Sequence, residues 1–191
     1  MVLASQGVVS VLVDAMWAEP GWYGKRTHET DYARSIEQVQ RLRRAMDLLV
    51  AQPGVDAKRL AFVGHDFGAM YGTLMGAVDG RPKAYVLMTA NPRFSTWYLL
   101  GKRQPRDRAA YLKQMEVLDP TRYLPALAPA PLFFQFASND KYVSAKEADE
   151  LYAAAPEPKL MRRYPTDHGL DVKRGAQDRF QWLVRQLGLR R

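Results

Sequence analysis

The stretch Val63-Gly64-His65-Asp66-Phe67-Gly68 sets a carboxylate midway between two glycines, after an apolar run, Leu60 to Val63, and before a run of small residues. Glycines two residues either side of a reactive group permit a sharp strand-to-helix turn, because a bulkier neighbour would collide with the crossing backbone. The central side chain is then forced outward. At the first turn of the following helix it meets unpaired backbone N–H groups and the positive end of the helix dipole, both favourable to a carboxylate. Asp66 is therefore expected to be ionised and presented to a ligand. Two more polar residues stand just after predicted strands: Asp140 in Ala137-Ser138-Asn139-Asp140 and His168 in Pro165-Thr166-Asp167-His168-Gly169. A nucleophile, an acid and a histidine in that order suit covalent hydrolysis. Each residue also has a plainer use: Asp66 as a helix cap, Asp140 as a turn residue before Lys141, His168 as a loop histidine beside Gly169. Their joint placement at successive strand ends favours a triad-type site.

The elements that must carry these residues can be read from periodicity. Val8 to Val13 is a β-branched run ending at Asp14, expected as a buried strand, and a long loop spans Ala15 to Thr30. From Tyr32 to Ala51, the residues Ile36, Val39, Leu42, Met46, Leu49 and Val50 recur at helical spacing until Pro53-Gly54 stops the pattern. Leu60 to Val63 reads as the next strand, Phe67 to Val78 as a helix and Ala84 to Met88 as a third strand. An aromatic, basic segment follows, about 92–130, with helices near Arg106 to Glu116 and Pro120 to Leu124, and is expected to form a lid. Leu132 to Phe136 is a fourth strand, Ala145 to Ala154 a helix, Lys159 to Tyr164 a fifth strand, and Phe180, Leu183, Val184 and Leu187 mark a closing helix. Such alternation implies a parallel sheet with helices on both faces, with ligands bound beyond the carboxyl ends of the strands.

The order Asp66, Asp140, His168 is that of the α/β-hydrolase triad, and the chain resembles that superfamily over nearly its whole length. The body, including Leu3-Ala4-Ser5-Gln6-Gly7, Gly64-His65, Phe136 to Asp140 and Tyr164 to His168-Gly169, is similar to dienelactone hydrolase and related esterases and peptidases. Those families place serine or cysteine where Asp66 stands. The turn Gly-His-Asp-Phe-Gly is instead similar to haloalkane dehalogenases and epoxide hydrolases, which use an aspartate nucleophile. Attack by a carboxylate on an acyl group would yield a reactive anhydride, whereas displacement at a saturated carbon yields an ordinary alkyl ester that water can cleave. The resemblance thus implies Asp66 as nucleophile, His168 activating the water, Asp140 holding His168, and the Phe67 N–H as an oxyanion donor.

The same resemblance implies substrate contacts in the lid, at Trp97, Tyr98 and Tyr123, with Tyr111 a further candidate donor to an epoxide oxygen. Position 67 is phenylalanine where haloalkane dehalogenases carry tryptophan, so Trp97 or Trp17 would have to hold a halide. His65 is expected to pack or hydrogen-bond within the turn, and His28 to be solvated. Matched to the family, Val8 to Val13 is its fourth strand, so an N-terminally abbreviated α/β-hydrolase fold lacking the first three strands is expected. The second oxyanion donor then has no counterpart, and Val8 to Val13 must pair with Leu60 to Val63, pair with another chain, or leave an edge open to self-association.

Composition narrows the rest. With 191 residues, 47% of them hydrophobic, the chain can bury one sizeable core, and one domain over 1–191 is expected. There is no cysteine, which removes disulfides and thiolate chemistry and fits a cytoplasmic protein. No apolar run approaches a membrane span. The net charge of +8 is scattered over positions such as Arg41, Arg43, Arg44, Arg162, Arg163, Arg190 and Arg191, which suits a solvated surface rather than a nucleic-acid face. The expected partner is a small apolar substrate, with no metal and no organic cofactor. Two other functions fit the same residues: a dienelactone-hydrolase-like esterase with Asp66 replacing the usual Ser or Cys, and a non-catalytic domain of this fold.

Overall fold

A computed structural model describes residues 3–101 and 103–189, so Arg190 and Arg191 lie outside the described residues. Short turns at Leu3–Gln6 and Met16–Ala18 and a one-turn helix, α1 (Trp22–Lys25), precede the long helix α2 (His28–Val50). Then come strand β1 (Phe62–His65), α3 (Phe67–Val78) and β2 (Tyr85–Met88). The aromatic segment holds α4 (Phe94–Trp97), α5 (Arg108–Met115) and three 3-10 turns, Glu116–Leu118, Pro120–Arg122 and Leu124–Leu127. The chain continues through β3 (Leu132–Ala137), α6 (Ala145–Ala154), β4 (Lys159–Tyr164) and α7 (Lys173–Gln186). The four strands are parallel and lie in sequence order, β1-β2-β3-β4, with Phe62 opposite Tyr85, Tyr85 opposite Leu132 and Leu132 opposite Lys159.

The period of two along each strand divides the core. Tyr85 and Leu87 of β2, with Leu132, Phe134 and Phe136 of β3, face a large apolar layer with Met70, Leu74, Leu42, Met46, Leu124 and Leu151. The alternate residues Ala84, Val86 and Phe133 face Trp182 and Leu183 of α7, where Phe133 and Trp182 rings lie 5.5 Å apart. Helices therefore cover both faces, as a parallel sheet requires. Helix α3 lies hard against the sheet: a Cβ at Gly72 would come within 2.0 Å of the Phe62 ring. That closeness sets the direction in which α3 leaves β1, and so the direction of the turn between them.

Three sequence expectations need correction. Val8 to Val13 forms no strand; Val9 and Val11 are about half exposed and Leu12 is fully exposed, while only Val13 packs against the core. Local β-propensity is a preference for a paired, half-buried surface, and here no ladder partner meets the run. Among the described residues the outer edge of β1 is likewise unpaired, so any self-association there would use that edge and not an N-terminal strand. Helix α2 begins at His28, four residues early, so the loop is shorter than expected, with two helical turns of its own. Strand β1 is shifted two residues toward the C-terminus, which brings its last residue, His65, directly to the turn. No helix among the described residues is long and apolar enough to cross a membrane.

Candidate active site

Asp66 sits between the end of β1 and the start of α3 with φ 53° and ψ −123°, a conformation that non-glycine residues rarely adopt and that costs on the order of 1–3 kcal/mol. The surrounding backbone holds it there. Asp66 N–H donates to Met88 O at 2.9 Å, extending the sheet by one rung, and Asp66 O accepts Ala69 N–H and Met70 N–H at 3.0 and 3.1 Å. Gly64 makes the turn possible, since a Cβ there would lie 2.5 Å from Ala69 N and from Gly68 C and O. The expectation of two required glycines holds for Gly64 alone: a Cβ at Gly68 meets nothing within 4 Å.

The same dihedrals decide where the carboxylate goes. A helix cap needs an extended residue whose side chain curls back over the first turn. Asp66 is not extended, and its side chain makes no capping bond, which corrects the expectation that it meets the helix N–H groups. Its Oδ1 is buried without a hydrogen-bond partner, and the residue lines a cavity of about 620 Å³. Phe67 is the first residue of α3, where N–H groups have no intrahelical acceptor, so its N–H is not spent within the helix.

Asp140 and His168 converge on this point from the loops after β3 and β4. His168 Nδ1–H donates to Asp140 Oδ2 at 2.8 Å, and His168 Nε2 faces Asp66 Oδ2 at 3.6 Å, an ion-pair contact slightly too long for a hydrogen bond. Asp140 is a turn residue as well: its Oδ1 accepts the N–H groups of Tyr142 and Val143. Burial of the imidazole opposes its charged form, but the nearby charge of Asp66 and the hydrogen bond and charge of Asp140 outweigh this and hold His168 above its ordinary value. His65 lies behind, its Nε2 hydrogen-bonded to His168 O at 2.8 Å, so it braces the histidine loop without reaching the cavity.

The expected substrate contacts divide. Trp97 and Tyr98 line the cavity, and Trp97 lies over the His168 ring at 5.9 Å. The Tyr98 hydroxyl, however, is buried against Tyr71 and Ser35, so only its ring is offered to a ligand. Tyr123 is not a cavity residue; its hydroxyl donates to Val117 O at 2.7 Å and its ring packs on the core. Tyr111 donates to the buried Asp31 carboxylate at 2.8 Å, and Trp17 stacks on Phe67 and Tyr71 and is not a cavity residue. His28 is not simply solvated, for its ring meets Tyr111 edge-on and its Nε2 is buried without a partner.

Of the lining residues that escaped sequence reasoning, four have polar side chains: Tyr23, Arg26, Arg103 and Tyr142. Tyr142 had a local signal, since it stands two residues after Asp140 and its ring lies 5.1 Å from that of His168. Among the described residues neither the Tyr23 nor the Tyr142 hydroxyl is taken up in a hydrogen bond, and both residues are largely exposed. No group of three or more His, Asp or Glu among the described residues is arranged to hold a metal ion.

The sequence profile described as "Alpha/beta hydrolase family" matches residues 2–188. No curated protein matches the chain. Among solved structures, the chain is similar to the esterase domain of a Rhodothermus marinus protein, with 20% identity, a TM-score of 0.60, and coverage of 76% of this chain and 66% of that one. It is also similar to the α/β hydrolase GrgF from Penicillium sp. sh18, with 14% identity, a TM-score of 0.66, and coverage of 81% and 73%. The acetyl xylan esterase from Paenibacillus sp. R4 shares 15% identity at a TM-score of 0.65, and the match covers 85% of this chain but only 54% of the esterase. At these identities the likeness is one of fold, and the chain spans between about half and three quarters of the lengths of these three structures.

Proposed function

The chain belongs to the α/β hydrolase family, and from that premise we propose that it is a hydrolase in which Asp66 attacks a saturated carbon of a small, largely apolar substrate, an epoxide or a haloalkane. The observation that carries this reading is a single one. The Asp66 carboxylate leaves a strained turn toward the cavity, with His168 Nε2 at 3.6 Å and that imidazole fixed from behind by Asp140. In this reading residues 1–191 are one domain and about 92–130 form its lid.

In the first half-reaction Asp66 Oδ2 forms a bond to carbon as the bond to halide or epoxide oxygen breaks, leaving an alkyl ester on Asp66. For an epoxide the departing alkoxide takes a proton, and Tyr23 and Tyr142 carry the hydroxyls left free in the cavity. In the second, His168 Nε2 removes a proton from water as the water oxygen attacks Cγ of Asp66. The developing oxyanion is met by the Phe67 N–H. Collapse breaks the Cγ–Oδ2 bond, so the product leaves with Oδ2 as its alkoxide and takes the proton from His168; the water oxygen replaces Oδ2, and loss of the remaining water proton to the tyrosinate or to solvent regenerates the Asp66 carboxylate.

The test is to stop the second step alone. With His168→Gln or His168→Ala, intact-mass and peptide measurements should find an alkyl adduct on Asp66 after exposure to epoxides or haloalkanes. Absence of an adduct across a broad panel would overturn the mechanism. A second reading, a hydrolase of acyl esters, draws on the fold it shares with proteins described as esterases. Turnover of short acyl esters that is lost in Asp66→Asn, with no alkyl adduct in the His168 variants, would favour it.

A further inference from the structure

The cavity that Asp66 enters is also lined by two arginines, and they are not equivalent. Arg26 is nearly buried and fully engaged: its Nε and Nη2 pair with Asp31 at 3.0 and 2.6 Å, Nη2 also reaches Tyr98 O, and its guanidinium lies 4.8 Å over the Tyr98 ring. The Asp31 carboxylate, itself only 2% exposed, cancels that charge. Arg103 is different. It is exposed while lining the same cavity, and its Nη1 donates to Gly24 O at 2.8 Å, which ties the segment after α4 to α1. Among the described residues no carboxylate lies within ion-pair reach of it, and its Nε and Nη2 edge makes no hydrogen bond.

That free edge is the one by which Arg26 grips Asp31, so the molecule itself displays the ligand such an edge accepts: a carboxylate bound by two parallel N–H donors. The wall that Arg103 and Asp66 share is largely aromatic and aliphatic, with Trp97, Tyr98, Leu100 and Tyr142. We propose that Arg103 is a specificity-determining residue and that the substrate is a short carboxylic acid anion, its carboxylate on Arg103 and its reactive carbon toward Asp66. Pairing the anion with Arg103 offsets the repulsion it would meet from the Asp66 carboxylate. The Gly24 bond fixes the guanidinium before the ligand arrives, so less side-chain freedom is lost on binding. The reacting end of this assignment rests on the Asp66 reading; the anion end does not.

Titration calorimetry with hexanoate and its neutral counterpart hexanamide tests the anion end directly. Hexanoate should bind the unaltered protein more tightly than hexanamide, weaken by about 10-fold or more in Arg103→Gln, recover in part in Arg103→Lys, and tighten in Asp66→Asn. Equal binding of the two ligands, no hexanoate binding, or indifference to Arg103→Gln in a variant that melts like the parent would each overturn the proposal. Adduct formation in His168→Gln separates this from the chemistry. With 5,6-epoxyhexanoate and 1,2-epoxyhexane as probes, the carboxylated epoxide should label Asp66 faster, and Arg103→Gln should abolish that preference. Labelling of both epoxides at one rate would overturn the anion subsite, whereas hexanoate binding with no adduct from either would sink only the Asp66 reading.

Discussion

Asp140 divides its carboxylate between two duties: Oδ2 takes the His168 Nδ1–H at 2.8 Å, while Oδ1 takes the Tyr142 and Val143 N–H groups at 2.8 and 3.0 Å. The acid that orients the imidazole is thereby locked in place by its own turn. With a side chain only 2% exposed it has no freedom to turn away, so the imidazole inherits the rigidity of the loop after β3.

Asp140→Asn should separate these duties. An amide oxygen can still accept the two turn N–H groups, so the fold should survive with a small change in melting temperature. The charged acceptor for Nδ1–H is lost, and ester hydrolysis on Asp66 should slow by about 10²–10⁴-fold. Alkylation of Asp66 should continue, so adduct should build up by mass spectrometry. Unimpaired hydrolysis in a folded variant would remove Asp140 from the mechanism.

The pH dependence follows from the charge around His168. Burial lowers its proton affinity, but the charge of Asp66 and the hydrogen bond and charge of Asp140 outweigh this and hold it above the ordinary value of 6.5. As a base toward water the imidazole must be neutral, so hydrolysis of the ester should climb as pH rises through the His168 midpoint of the alkylated protein, which should lie below that of the free protein because esterified Asp66 no longer carries its charge. Because the folded value is the raised one, the histidine's contribution to stability is complete below its unfolded value and lost as pH rises through the folded value. Titration of the His168 ring by NMR should show the raised midpoint, and Asp140→Asn should lower it.

The tyrosines give a positional test. Tyr142→Phe and Tyr23→Phe should each slow labelling of Asp66 by an epoxide, by up to about 10²-fold for the one that supplies the proton, and leave labelling by a haloalkane less affected. Tyr123→Phe should alter neither rate, because its hydroxyl is spent on Val117 O outside the cavity. Stopped-time mass spectrometry in the His168→Gln background would read all three.

The two glycines of the turn should behave oppositely. Gly64→Ala forces a Cβ to within 2.5 Å of the backbone at Gly68 and Ala69 and should destabilise by about 1–3 kcal/mol or more in urea unfolding. Gly68→Ala finds open space in the first turn of α3 and should be neutral or stabilising by up to about 1 kcal/mol. Equal costs would mean that the turn is held by something other than the approach of α3 to Gly64.

Much of this protein is legible in its sequence because much of it is set locally. The boundaries of α3, α6 and β4 follow from periodicity and from stop and cap residues; Ser144 and Glu147, for example, form a reciprocal capping box at the start of α6. Asp66, Asp140 and His168 could be picked out because a parallel sheet delivers the ends of its strands to one edge, so three separate loops had to meet. The β-branched run from Val8 to Val13 shows the limit of such reasoning. Its composition suits a strand, but a strand exists only where a neighbour supplies the ladder, and that is a property of the assembled sheet. The aromatic residues show it again. Whether a tyrosine hydroxyl faces a ligand depends on which distant group claims it: Ser35 and Tyr71 for Tyr98, Asp31, 80 residues away, for Tyr111, and nothing among the described residues for Tyr142. By itself, then, the amino-acid order determined the alternating scaffold and the three groups at its edge. Tertiary structure decided which side chains share their cavity and which of two arginines keeps an unpaired charge there, because hydrogen-bond and ion-pair partners are chosen by proximity in space and not along the chain.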